Sequence, residues 1–225
     1  ASKVIKKYQQ LHPENIRQKS EIIVETFRST TRTKINGKGK MMVVTASRPA
    51  AVLYFLEIKR YAAEMGYDDV KPMVAFSGEV TLNDETYTES GMNVRPDGSH
   101  ITEAQTKQEF HDNFNILIVA EKYQTGFDEP LLHTMFVDKK LSGVKAVQTL
   151  SRLNRTCFGK EDTFVLDFVN SAEDIRAAFA PYYEETTIEE TTDANIVYEL
   201  KSKLDEFRVY WASEIESFVK VFFTP

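Results

Sequence analysis

Short apolar stretches separated by helical segments constrain the fold of this chain more than any other feature. Five such stretches are predicted as buried strands: residues 41–45, 71–76, 115–120, 133–137 and 163–168. Residues 47–65 and 144–153 carry apolar residues at helical spacing between strands. This alternation predicts an α/β fold, with a parallel sheet flanked by helices.

The flanking segments differ from this central region and predict three parts in all. Residues 1–40 are predicted as a helical lead-in and a basic linker. The helix of the lead-in is expected to begin at Pro13. Residues 41–181 form the α/β domain, with Pro181 expected to end its last helix. Residues 182–225 are expected to begin a truncated C-terminal helical region.

Two segments inside the α/β domain carry weaker signals. Residues 79–100 are polar and aperiodic, and they are predicted as a loop without regular structure. Thr102 is expected to cap a short helix that runs to about His111.

The charge is distributed unevenly along the chain. The net charge is −6, which is unusual for a nucleic-acid-binding protein. Residues 1–60, however, hold 13 Lys and Arg against 4 Asp and Glu, while the remainder holds 15 against 30. This asymmetry indicates two functional surfaces, or a piece of something larger.

Several classes of protein are disfavoured by the composition. No apolar run reaches the 18 or so residues of a membrane span, so no membrane association is predicted. The single cysteine, Cys157, fits a reducing compartment and predicts a cytoplasmic location. The four histidines lack the spacing of metal ligands, and no metal site is predicted.

The functional edge of such a sheet is the one at which the parallel strands end. We expect several residues at this edge because each follows a predicted strand: Ser47, Arg48, Ser77 and the loop 121–130. Arg152 and Arg155, three residues apart, are predicted to share one helix face. Their guanidinium groups suit phosphate oxygens, although an isolated pair of this kind is more often a solvated helix face.

Three stretches together resemble the motifs of superfamily 2 helicases and translocases. Residues 148–155, QTLSRLNR, are similar to motif VI, with Ser151 in place of the usual glycine. Residues 116–130 resemble motif V, and residues 42–48 resemble motif IV. The motif V match departs from the common pattern, because Ala120 and Thr125 stand where a threonine and an arginine are usual.

The same residues resemble, more narrowly, the restriction (R) subunit of type I restriction–modification enzymes. The resemblance covers about residues 14–180 and implies a RecA-like second motor domain with a C-terminal helical appendage. It implies that Arg155 is the transition-state arginine and Arg152 a second phosphate ligand. Gln148, Gly126 and Asp128 would then bind the nucleotide, and a further set would contact the DNA backbone: Ser47, Arg48, Ser77 and Thr125.

The resemblance also implies cofactors and partners. ATP with Mg²⁺ would bind jointly with a first motor domain, because this chain has no phosphate-loop or Mg²⁺-binding sequence. The chain alone is therefore expected to be inactive, within an ATP-dependent site-specific deoxyribonuclease that translocates DNA. The expected partners are double-stranded DNA, the modification and specificity subunits, and the upstream motor and nuclease domains of the same polypeptide.

Two other readings stay open from the sequence. The chain could be a motor domain of another superfamily 2 helicase, of the type III restriction or repair type. It could also be a binding module that kept the fold without the chemistry.

Overall fold

A parallel sheet of five strands organises the computed structural model, which describes residues 11–123 and 126–188, with side chains through Tyr182. The strands are β1 (Lys40–Thr45), β2 (Pro72–Ala75), β3 (Glu79–Leu82), β4 (Glu85–Thr88), β5 (Ile116–Val119), β6 (Leu132–Asp138) and β7 (Phe164–Asp167). The helices are α1 (Pro13–Ser29), α2 (Arg48–Glu64), α3 (Glu89–Met92), α4 (Thr106–Asp112), α5 (Gly143–Leu150) and α6 (Ala172–Ile188). A four-residue helical turn lies at Lys34–Gly37, and short 3₁₀ turns lie at Thr31–Thr33 and Ser151–Asn154.

The strand order of the main sheet is β2-β5-β1-β6-β7, and every neighbouring pair is parallel. At the centre, Val44 of β1 lies opposite Val119 on one side and Val137 on the other. The prediction of an α/β fold with a parallel sheet flanked by helices is confirmed. All five strands end at one edge, and that edge positions the loops described below.

Alternate side chains of the strands pack into two separate cores, one on each face of the sheet. One core contains Met41, Val43 and Phe136 and is covered by α1 and α2. The other contains Met42, Val44 and Met135 and is covered by residues of α4, α5 and α6. The central strands are buried on both faces, which explains why they are continuously apolar in the sequence.

Helices α1 and α2 follow the sequence signals closely. Pro13 occupies the first turn of α1, and the helix buries Ile23, Val24 and Phe27 against the sheet. Ser47 precedes α2, and its hydroxyl accepts a hydrogen bond from the Ala50 backbone N–H at 3.4 Å.

The segment between α1 and β1, predicted as a basic linker, folds into a defined turn. Ile35 and Asn36 have left-handed φ angles of 53° and 56°. Gly39 allows a close approach of two backbone segments, because a Cβ there would lie 2.1 Å from the Thr31 carbonyl oxygen. Residues 31–39 therefore form a fixed turn beside the start of β1.

The stretch 79–100 was wrongly predicted as a structureless loop. It contains the antiparallel hairpin of β3 and β4, followed by α3. Asn83 and Asp84, at the turn, both have positive φ angles (50° and 65°), as a two-residue type I′ turn requires. Val80, buried against the core, and Tyr87, opposite it in register, supply the apolar face of the hairpin.

Two predicted helix ends are also wrong. Helix α4 begins at Thr106 rather than after Thr102, whose hydroxyl instead donates to the Gln105 side chain at 3.0 Å. Helix α6 continues through Pro181 to Ile188, so this proline does not end it. Ser171 caps the start of α6, since its hydroxyl accepts from the Asp174 N–H at 3.1 Å.

The chain divides into two compact units, Ala1–Phe179 and Ala180–Pro225. The domain boundaries predicted from the sequence stay predictions. No helix within the described ranges 11–123 and 126–188 is long and apolar enough to span a membrane.

Candidate functional site

Three of the predicted DNA-contacting residues lie together where β1 and β2 end. Ser47 caps α2, and Arg48 is the first residue of that helix. The Arg48 guanidinium donates a hydrogen bond from Nη1 to the Ser77 carbonyl oxygen at 3.0 Å. Gly78 has a φ of +75°, and a Cβ there would lie 3.1 Å from Arg48 Nη1. The exposed Arg48 and Ser77 therefore form one polar surface.

A buried threonine ties the ends of two neighbouring strands beneath this surface. The Thr45 hydroxyl lies 3.1 Å from the Ser47 carbonyl oxygen and 3.0 Å from that of Val119. The end of β1 is thereby joined to the end of β5. Thr45 was not predicted as a functional residue, because a threonine at the end of an apolar strand carries no distinctive signal.

The loop that connects β5 to β6, residues 120–131, carries the motif V-like turn. Phe127 is buried and packs on Phe110 and Tyr123, with ring centroids 5.9 and 5.1 Å away. Gly126 has a φ of +69°, and its carbonyl oxygen accepts from Lys107 Nζ at 3.1 Å. Phe127 therefore anchors the turn, while its neighbour Asp128 stays exposed. Thr125, predicted to contact DNA, lies outside the described residues.

The two arginines do not share a helix face, which corrects the prediction. Helix α5 ends at Leu150, Arg152 lies in the following 3₁₀ turn, and Arg155 has an extended backbone with φ −65° and ψ 125°. The tighter turn and the extended residue abolish the spacing of an α-helix.

Both arginines instead converge on the β5–β6 loop. Arg152 donates from Nη1 to the Phe127 carbonyl oxygen at 2.5 Å. Arg155 forms an ion pair with Asp128, with 3.2 Å between Nε and Oδ1. The two side chains of this pair are 57% and 70% exposed, so ligands can reach them. Four residues predicted for one site, Gly126, Asp128, Arg152 and Arg155, are thus brought together.

The electrostatics of this group favour an anion. Partial burial lowers the pKa of Arg152, and the nearby charge of Arg155 lowers it further, against the opposing effect of Asp128. Two cationic side chains beside one carboxylate leave an excess of positive charge, and a guanidinium remains ionised near neutral pH.

Gln148 is exposed on α5. Its side chain makes no hydrogen bond to the other side chains of the described site, so the structure does not join it to the arginines. Among the described residues, no group of three His, Cys, Asp or Glu side chains could hold a metal ion.

A buried ion pair that sequence reasoning missed fixes the other end of the β5–β6 loop. Lys122 Nζ lies 2.8 Å from Glu89 Oε2 and 2.7 Å from Glu103 Oε1. Glu89 also accepts from the Phe76 N–H at 2.9 Å and from the Thr106 hydroxyl at 2.8 Å. Burial lowers the pKa of Lys122, but the two carboxylates outweigh it and raise the pKa overall.

The network connects segments far apart in the chain, which explains why no local pattern indicated it. Glu89 begins a four-residue helix within a stretch predicted as loop, and Lys122 follows a strand. The only available signal was the acidic residue next to Thr88, which caps α3 by accepting from the Gly91 N–H.

Comparison with known proteins identifies relatives of this chain. Residues 97–170 match the family model of domain 3 of the type I restriction enzyme R subunit. The endonuclease subunit of type I restriction enzyme HindI from Haemophilus influenzae is 26% identical over 189 residues, 79% of this chain and 17% of that protein. A Methanocaldococcus jannaschii protein, named as the MjaIXP endonuclease subunit, is 26% identical over 174 residues, 77% of this chain and 16% of that protein.

A solved structure agrees with the fold. A fragment of an HsdR subunit of a type I restriction enzyme from Vibrio vulnificus superposes with a TM-score of 0.51 at 14% identity. The match covers 77% of this chain and 30% of the fragment. It supports a fold in which helices flank a parallel sheet.

The matches involve only part of each relative, since the chain spans about one sixth of the curated proteins named above. The resemblance inferred from the three motifs is nevertheless confirmed, because the family model and the curated relatives all point to the same kind of subunit. The chain is homologous to a segment of the R (endonuclease) subunits of type I restriction enzymes.

Proposed function

We propose that this chain is the second motor domain of a type I restriction R subunit. In this role it forms part of an ATP-dependent translocase that moves duplex DNA. The observation that carries the proposal is the convergence of Arg152 and Arg155 on the Gly126–Asp128 turn. The names of the homologous proteins support the same enzyme class, a hydrolase that cuts DNA.

The arginine group fits the phosphates of a nucleotide. Among the described side chains, Arg155 forms an ion pair with one exposed carboxylate, and exposed ion pairs contribute little free energy. A phosphate oxygen can therefore replace Asp128 as its partner. Arg152 is fixed by the Phe127 carbonyl oxygen, and its planar guanidinium group is suited to phosphate oxygens.

Each residue then has a distinct role. Arg155 stabilises the negative charge that develops on the transferred phosphoryl group, and Arg152 binds a neighbouring phosphate oxygen. Asp128 and the Gly126 backbone line the nucleotide side, and Gln148 orients groups near the γ-phosphate. ATP with Mg²⁺ supplies the phosphoryl group, and the phosphate loop belongs to a first motor domain.

DNA would lie along the polar surface where β1 and β2 end. Ser47, Arg48 and Ser77 offer hydroxyl and guanidinium donors there, and Thr125 would add another hydroxyl. Such groups bind the phosphate backbone and read no sequence, as a motor that passes over any sequence requires. Target choice would then belong to a specificity subunit, with a modification subunit in the same cytoplasmic complex.

Substitution of Arg155 in the complete R subunit tests the proposal. We expect Arg155→Ala to lower the ATPase rate about 10³-fold or more, because the arginine acts on charge formed in the transition state. Arg155→Lys should restore little of the loss, since lysine lacks the planar fork. Arg176→Ala, which removes an exposed arginine from α6, is the matched control and should keep the ATPase rate. Unchanged ATPase and translocation in Arg155→Ala would instead favour a binding module.

The isolated chain offers a second test. We expect the purified 225-residue chain to release no phosphate from ATP, because its sequence has no phosphate loop. Phosphate release that persists through purification and disappears in Arg155→Ala would contradict the proposed half-site.

A further inference from the structure

A second charged site lies at the opposite edge of the sheet. A cavity of about 810 Å³ opens where the strands begin. Lys40 is the first residue of β1, Lys71 directly precedes β2, and Leu131 directly precedes β6. Because the strands are parallel, this edge is the far end of the sheet from Ser47 and Ser77.

Cations dominate the charged lining of the cavity. Four lysine and arginine side chains line it, beside His111: Arg32, Lys38, Lys40 and Lys71. Two carboxylates oppose them, and one of these, Asp69, is already bound by Arg28 and by Arg32, the latter at 2.5 Å. The other is Asp112, which accepts from the Gln108 amide at 2.8 Å. Lys38 and Lys71 form no ion pair with any residue in the described part of the chain.

Lys40 is the only one of the four that is buried. Its ammonium donates to the Phe114 carbonyl oxygen at 2.6 Å, the one hydrogen bond that the described residues provide to it. Burial lowers the pKa of Lys40 despite the attraction of Glu129 and Asp112, and the like charge of Lys71 lowers it further. An anion in the cavity would relieve this repulsion and accept the remaining N–H groups.

The backbone that presents these cations is strained. Ile35, a β-branched residue, has a φ of 53°, in the left-handed region that such residues rarely adopt. Asn36 and Gly37 continue the left-handed turn, with φ angles of 56° and 80°. Strain of this kind persists where the surrounding structure requires the conformation, and it occurs often at ligand sites. Here it brings Lys38 to the cavity beside Lys40.

We propose that this cavity binds phosphate groups. Converging ammonium and guanidinium groups on a partly enclosed surface are the usual recognition chemistry for phosphate. The phosphates could belong to a nucleic-acid backbone or to a free polyphosphate compound. The site goes beyond the proposed function, because it lies at the other edge of the sheet from the proposed DNA track.

The test measures binding of inorganic tripolyphosphate to the full 225-residue chain by calorimetry. The double variant Lys38→Ala/Lys71→Ala should weaken binding at least about tenfold, because it removes two charge-assisted contacts. Both side chains are exposed, so the fold should be unaffected, and circular dichroism checks this. Lys59→Ala removes an exposed lysine of α2 that does not line the cavity, and it should bind normally. No binding to the unaltered chain, or equal binding to the double variant, would overturn the proposal.

A second arm identifies the source of the phosphates. The affinity of the same variants for a short random-sequence duplex is measured as a function of salt. If DNA supplies the phosphates, the double variant binds more weakly, and its salt slope falls by about two. If only tripolyphosphate binding is lost, the site binds a free phosphate compound.

Discussion

Two of the ion pairs made by the β5–β6 loop differ in almost every physical respect. Near its start, Lys122 and Glu89 are 11% and 6% exposed, and Glu89 accepts three hydrogen bonds from separate segments. Near its end, Asp128 and Arg155 are mostly exposed and share a single contact at 3.2 Å. The same twelve-residue connection therefore carries one fixed ion pair and one exchangeable ion pair.

This difference indicates which charged side chains are available to bind a ligand. Removing one partner of a buried pair leaves an uncompensated charge and is strongly destabilising. Removing one partner of an exposed pair costs little, because water and salt already screen it. Lys122 and Glu89 therefore stabilise the fold, whereas Arg155 can exchange Asp128 for a phosphate.

The largest effect tests the buried pair. We expect Glu89→Ala to lower the free energy of unfolding by about 3 kcal/mol or more, because Lys122 and the Phe76 N–H lose their buried acceptor. Urea unfolding followed by circular dichroism measures the loss. Glu103→Ala is the matched control, because Glu103 binds the same lysine but is exposed, and it should cost less than about 1 kcal/mol. Equal losses of unfolding free energy in the two variants would contradict the distinction between buried and exposed ion pairs.

A smaller effect tests whether the network depends on its neutral members. Thr106→Val removes the hydroxyl that donates to Glu89 Oε1 at 2.8 Å, and it should cost about 1–2 kcal/mol. Thr86→Val on the exposed hairpin should change stability by less than about 0.5 kcal/mol. Stability that is unaltered in Thr106→Val would mean that the charges alone hold the network.

A still smaller effect is expected at the exposed pair. Asp128→Ala should reduce the free energy of unfolding by no more than about 1 kcal/mol, because both partners are exposed. The same urea titration gives the value, and added salt should shrink it further. A loss as large as that of Glu89→Ala would show that the loop end is as firmly fixed as its start.

The smallest effect concerns a pair of intermediate exposure. Hydrogen bonds from Lys34 and from the buried His133 lower the pKa of Asp162. A carboxylate with a depressed folded-state pKa contributes its stability above its unfolded pKa of about 3.9 and loses it as pH falls below that value. The stability difference between the unaltered chain and Asp162→Asn should therefore be present at pH 6 and shrink below pH 4. A constant difference across that range would contradict the assignment.

The regular elements were predictable because their signals are local. The strand at Ile116–Val119 is apolar on both faces, and α2 begins with a capping serine. The hairpin was missed although Asn83 and Asp84 can adopt left-handed φ angles, because its strands are only four residues long and mostly polar. Short, half-exposed strands carry too few alternating residues to stand out from a loop.

The site was predictable in composition but not in geometry. The motifs grouped Gly126, Asp128 and the two arginines, and the structure brings these four together. The two arginines do not share a helix face because α5 changes to a 3₁₀ turn at Ser151, which no propensity of that sequence indicates. The Glu89–Lys122 network could not be predicted from the sequence, since its partners meet only after the sheet has formed.

The connection from β5 to β6 has one more consequence. It passes from the edge where β5 ends to the edge where β6 begins, and its described residues contain no helix, although parallel strands are usually joined through one. Its residues 120–131 could extend to roughly 40 Å, more than the length of the strands it runs beside. The connection is therefore longer than the distance that it spans, and its side-chain contacts determine which of its residues can move. If a phosphate draws Arg155 away from Asp128, we expect the backbone near Gly126 to become free to move. Lys122 should hold the other end of the connection in place.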